Sequence, residues 1–120
     1  MERFYTISHK GKKIVVLDYS NTSPEEAIAF FADAHRRIAT YPPKSALIFA
    51  DATQARFNEA SVAAIKEFAA KNTPYVKASA SIGTPGLQGV IHPAIERTAT
   101  RNIRVFDNRE DALDWLASLE

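Results

Sequence analysis

The stretch "ALIFADATQARFNEASVAAIK", Ala46 to Lys66, passes from an apolar run through a polar loop into a helical pattern, and its reading decides the fold. Ala46 to Ala50 shows no polar alternation, which marks a central strand covered on both faces. Val62, Ile65, Phe68 and Ala69 then recur at helical spacing, with Lys66, Glu67 and Lys71 on the wet side. The polar segment beginning at Asp51 follows a strand and leads into a helix, a place where α/β proteins often carry their chemistry. It holds no histidine, cysteine or glycine.

Upstream, "IVVL" from Ile14 to Leu17 is a second run with no wet face. "RFYTIS" before it alternates weakly, and "HKGKK" between the two predicts a hairpin around Gly11. "SPEE" supplies a cap at Ser23, Pro24 at the first helical position and Glu26 three residues after the cap, the pattern of a capping box. The helix that follows has a buried stripe of Ile28, Phe31, His35 and Ile38, with Glu25, Arg36 and Arg37 off it, and ends at "TYPPK".

Downstream, "KNTP" closes the second helix and "YVKASASIG" alternates. The alternation places Val76, Ala78, Ala80 and Ile82 on one face and Lys77, Ser79 and Ser81 on the other. Leu87, Val90, Ile91, Ala94 and Ile95 fall in helical register around Pro93, which predicts a bent third helix. "IRVFD" reads as a fifth strand. Asp107 or Asn108 then caps a last helix whose Ala112, Leu113, Leu116 and Leu119 face inward. The predicted order is ββαβαβαβα: a single α/β domain over residues 1–120, with a mixed, mostly parallel five-stranded sheet and four helices.

At 120 residues, 46% hydrophobic and 24% charged, the chain suits one globular domain. A formal charge of +1 argues against a nucleic-acid binder. The absence of cysteine excludes disulfides, thiolate metal sites and cysteine nucleophiles. The longest apolar runs are too short for a membrane span, and the amino terminus lacks a signal-peptide layout, so a cytoplasmic location is the default expectation.

The element order, with "ALIFADATQARFNEASVAAIKEFAAKNTPYVKASASIG", "GLQGVI" and "RNIRVFDNREDALDWL", resembles the STAS domain family, and within it the bacterial SpoIIAA-like proteins of STAS/CRAL-TRIO type. The resemblance covers nearly the whole chain. Signalling members of that family carry a loop of aspartate, serine, serine or threonine, and glycine, whose first serine is phosphorylated. Setting Phe57 against the family phenylalanine places Glu59 at the aspartate, Ala60 at the acceptor serine, Ser61 at the second hydroxyl and Val62 at the glycine. The acceptor is therefore missing, unless Ser61 or Thr53 substitutes in a shifted register. The resemblance implies a non-enzymatic regulatory or interaction module that binds a protein partner. Its partner-binding surface would be Asp51, Thr53, Arg56, Asn58, Glu59 and Ser61. The alternative it implies is a binder or sensor of a lipid or other apolar ligand.

Three smaller signals stand beside this. "GTPGLQG" follows a strand and opens a helix, so Gly83, Thr84, Gly86 and Gly89 form a candidate anion-binding turn, with Arg97 and Arg101 as a cationic face; the ordinary reading of the glycines is a plain strand-to-helix turn, and of the two arginines a solvated surface. His9, His35 and His92 have no paired metal-ligand spacing, and His35 on an apolar stripe predicts a partly buried histidine that has found a partner. No G-x-S-x-G elbow occurs, no cofactor or metal is expected, and "HKGKK" reads as a hairpin tip. Phe30, Phe31 and Tyr41 offer more aromatic surface than the stripe requires, most of it core. An apolar helix face or an unpaired edge strand gives a route to a homodimer, and the sequence does not choose.

Overall fold

A computed structural model describes residues 3–83 and 102–119. Strands β1 (Phe4–His9) and β2 (Lys12–Asp18) form the hairpin, followed by α1 (Pro24–Ile38), β3 (Ala46–Ala52), α2 (Glu59–Asn72), β4 (Val76–Gly83), β5 (Asn102–Val105) and α3 (Arg109–Ser118). The five strands lie in the order β1-β2-β3-β4-β5. β1 is antiparallel to β2 and every other pairing is parallel, so the sheet is mixed and mostly parallel as expected. Three helices lie among the described residues; the predicted bent helix around Pro93 falls outside them.

Local signals explain the elements. Lys10 and Gly11 both take positive φ, 51° and 83°, which is how a two-residue turn joins strands of right-handed twist. At α1 the Ser23 hydroxyl accepts from the Glu26 amide at 3.2 Å while the Glu26 carboxylate accepts from the Ser23 amide at 2.9 Å, the reciprocal box read from "SPEE". Asn108, rather than Asp107, caps α3, its side chain accepting from the Asp111 amide at 2.9 Å.

The sheet divides the core into two layers. Val15, Leu17, Ala46, Ile48 and Val76 pack against Ala27, Phe31, Ala34 and Ile38 of α1 and Ile65 of α2. Ile14, Val16, Leu47, Phe49, Ala78 and Ala80 pack against Ala112, Leu113 and Leu116 of α3. The two non-alternating runs are thus covered on both faces. Phe49 is fully buried at the centre, where truncation to alanine typically costs about 3–5 kcal/mol.

Two details differ from the expected pattern. Val76 does not share a face with Ala78 and Ala80, because the β3–β4 register shifts between Ala46 and Leu47: Ala46 pairs with Val76, but Leu47 pairs with Ala78. The extra residue turns the strand over by one side chain. The buried positions of α2 are Ser61, Ile65, Ala69 and Asn72, so two polar residues belong to the stripe.

Candidate functional site

The carboxyl ends of β2, β3 and β4 converge on one edge of the sheet. β3 continues through Asp51 to Ala52, so the polar segment begins as strand and only residues 53–57 form the loop. Three backbone hydrogen bonds extend the β2–β3 pairing into the two loops: Tyr19 amide to Asp51 carbonyl at 3.1 Å, Asn21 amide to Thr53 carbonyl at 2.9 Å, and Arg56 amide to Thr22 carbonyl at 3.0 Å. Each loop reverses at one left-handed residue, Asn21 at φ 58° and Gln54 at φ 59°.

Side chains fix the same turns. Asp51 Oδ1 accepts from the Thr53 amide at 3.0 Å, and Asp18 Oδ1 accepts from the Ser20 amide at 3.1 Å and its hydroxyl at 2.6 Å. The buried Thr22 hydroxyl donates to the Tyr19 carbonyl at 2.7 Å. The Arg3 guanidinium donates to the carbonyls of Asp18 at 3.0 Å and Ser20 at 3.1 Å, tying the start of the chain to the β2–α1 loop. Gly83 closes the third side at φ 134°, where a Cβ would stand 2.5 Å from the Ala52 carbonyl carbon.

The start of α2 is locked from within. Asn58 caps the helix: its Oδ1 accepts from the Ser61 amide at 2.8 Å, and its own amide donates to Ser61 Oγ at 2.8 Å. Ser61 Oγ also donates to the Asn58 carbonyl at 3.2 Å, and the residue is fully buried. Thr53, Gln54, Arg56, Asn58, Glu59 and Ala60 are exposed, and Asp51 is half-buried. Of the six residues chosen from sequence, four therefore face solvent together, and Ser61 is a structural member of the cap.

Beneath the loops lies an aromatic cluster. Tyr19 meets Phe31 edge-on at 5.1 Å and Phe57 at 6.4 Å, and Phe31 stacks on Phe68 at 5.0 Å. Burial pushes the Tyr19 phenol well above its ordinary range, and the Asp51 carboxylate pushes it further the same way. On the rim, Glu26 is held below the usual carboxylate range, first by the Ser23 amide and in smaller part by the charges of Arg3 and Arg56. Arg56, Glu59 and Glu26 thus give the edge charges of both signs.

Elsewhere, His35 has found the partner expected of it, Asn72, at 2.6 Å. His9 Nε2 lies 2.8 Å from Asp114 Oδ1, which also takes Lys10 Nζ at 3.0 Å. The hairpin tip is therefore fastened to α3. Among the described residues no group of three or more histidine, aspartate or glutamate side chains is placed to hold a metal ion, and no helix is long and apolar enough to cross a membrane. Of the candidate anion-binding turn, Gly83 ends β4, while Thr84, Gly86 and Gly89, with Arg97, Arg101 and His92, lie outside the described residues. Sequence reasoning missed Arg3, whose staple spans fifteen residues without a local mark, and the cap at Asn58, whose partner is serine rather than the usual glutamate or glutamine. No protein-family model, curated protein or solved structure matches the chain.

Proposed function

We propose that the chain is a non-enzymatic, STAS-like interaction module that binds a protein partner at the carboxyl edge of the sheet, through Thr53, Arg56, Asn58 and Glu59. The observation that carries this reading is the set of three backbone hydrogen bonds joining the β2–α1 and β3–α2 loops. They hold an exposed, mixed-charge surface in one shape, which lowers the ordering cost of binding. Asp51 and Ser61 support the surface from behind.

The partner is engaged without a phosphate on Ser61, since that hydroxyl is consumed by the α2 cap and a kinase would have to open the first helical turn to reach it. Recognition rests on the charges of the rim. The apolar-ligand alternative draws on the family resemblance; of the surplus aromatic rings, Phe30 and Phe31 pack on each other and on Tyr19, which favours core.

The test is recovery of partners from host lysate on the immobilised chain, against a variant carrying Arg56→Glu and Glu59→Arg. The reading requires a protein retained by the first and lost from the second, with thermal melts unchanged. Equal retention on both would move the interface elsewhere, and a lipid released from the purified chain in native mass spectrometry would favour the alternative.

A further inference from the structure

The two edges of the sheet are built differently. β5 is four residues long and carries the exposed Arg104, both features that discourage another strand from adding to it. β1 is six residues long, pairs with β2 in unbroken register, and from Phe4 to Ser8 has no charge, no proline and no bulge. It lies at the end of the strand order, with no described strand beyond it.

The direction of its backbone groups follows from one hydrogen bond. The Asp18 amide donates to the Arg3 carbonyl at 2.8 Å, so Arg3 is a hydrogen-bonded position of the β1–β2 ladder. Such positions alternate along an antiparallel pair. Tyr5, Ile7 and His9 therefore turn their amides and carbonyls toward β2, and Phe4, Thr6 and Ser8 turn theirs outward.

We infer that a second copy of this chain adds antiparallel to β1, about a two-fold axis perpendicular to the sheet at Thr6. A symmetric antiparallel pair that keeps each face continuous must join residues of the same facing. Centring on Thr6 sets Thr6 against Thr6 of the second copy and Phe4 against Ser8, so that every outward amide and carbonyl from Phe4 to Ser8 finds a partner. On the α3 face it sets Tyr5 against Ile7 of the second copy, both half-buried and packed against the adjoining core layer, and both lose exposed apolar surface. Charge points to a second copy as occupant: an uncharged strip laid on itself brings no like charges together, whereas it offers a charged peptide no counter-charge. The interface is small, below the roughly 1,200 Å² of a standard stable complex, so the dimer is a weak, concentration-dependent one.

The experiment is sedimentation velocity of the full chain from micromolar to millimolar concentration, beside a Thr6→Lys variant. Because the Thr6 side chain is exposed and its amide is not used by β2, this variant is expected to fold, which circular dichroism checks. Register is read separately by single-cysteine variants, which are clean because the chain has no cysteine of its own. Thr6→Cys brings its mate to a Cα separation of about 5.5 Å, within disulfide reach. Ser8→Cys leaves its mate about 14 Å away, at about 3.4 Å per residue. The inference expects a dimer that dissociates on dilution, a folded and monomeric Thr6→Lys variant, and oxidative cross-linking far faster for Thr6→Cys than for Ser8→Cys. A chain that stays monomeric throughout, a dimer unaffected by Thr6→Lys, or equal cross-linking of the two cysteine variants would overturn it. None of these outcomes involves the loop between β3 and α2, so they stand apart from the partner-binding test.

Discussion

His35 Nδ1 lies 2.6 Å from Asn72 Oδ1, joining the last turns of α1 and α2 by a polar contact. Asn72 is 1% exposed. With the Asn72 oxygen as acceptor, His35 donates from Nδ1. Asn72→Ala leaves that donor unpaired in a part-buried site, and we expect a loss of about 1–3 kcal/mol in urea unfolding. A double-mutant cycle with His35→Ala should return a coupling of the same sign; strictly additive losses would mean that the contact contributes nothing of its own.

Ser61 should behave as a cap residue. Ser61→Ala removes both the acceptor for the Asn58 amide and the donor to the Asn58 carbonyl, with an expected cost of about 1 kcal/mol. Ser61→Asp should cost more, because it forces a charge into a buried position. A thermal melt of Ser61→Asp at or above that of the parent chain would show that the site tolerates charge and would reopen it as a modification site.

Asp114 gives a pH signature. Hydrogen bonds from His9 and then Lys10 hold its carboxyl below the usual aspartate range. A lowered folded-state value means that the contribution is present above the unfolded value of about 3.9 and is lost as the pH falls below it. Asp114→Asn should therefore melt below the parent chain at pH 7, with the gap narrowing toward pH 3. A gap of constant size would mean that the carboxylate charge is not what fastens the hairpin to α3.

Gly83→Ala tests how tightly the third strand end is held. Its φ of 134° costs about 1–3 kcal/mol for a residue with a side chain, and the added Cβ meets backbone atoms of Ala52 and Thr53 at 2.5 and 2.7 Å. Those atoms belong to the segment that carries the proposed binding surface. We expect both a lowered melting temperature and shifted amide resonances for Thr53 to Arg56; a neutral melt would show that β4 and the loop move apart freely.

The start of α1 and the hairpin are legible because their causes are local: "SPEE" encodes its own box, and Gly11 supplies the positive φ where the turn needs it. The two apolar runs gave both layers of the core. Val76 departs from its expected face because a bulge is a relation between two strands, and nothing in "YVKASASIG" marks where the register will shift. Asn72 stands in the terminator "KNTP", and Ser61 is a candidate site because the family resemblance sets it at a hydroxyl position; neither signal bears on burial. Each is buried with a partner, Asn72 thirty-seven residues from His35 and Ser61 within its own cap. The position of the candidate surface was visible as a strand running into a helix. Its rigidity was not, since that comes from hydrogen bonds between loops more than thirty residues apart.

The strands lie side by side in the order in which they are synthesised, and this bears on assembly. Every new strand finds its neighbour at the open margin of what has already formed, and no earlier gap has to be held for a later arrival. The β1–β2 hairpin, closed by a two-residue turn, is the least costly unit to form, and β3, β4 and β5 can add to it in sequence. Among the described strands the last to add, β5, is short and bears an arginine. The margin left available on the other side is β1, the first of the five described strands.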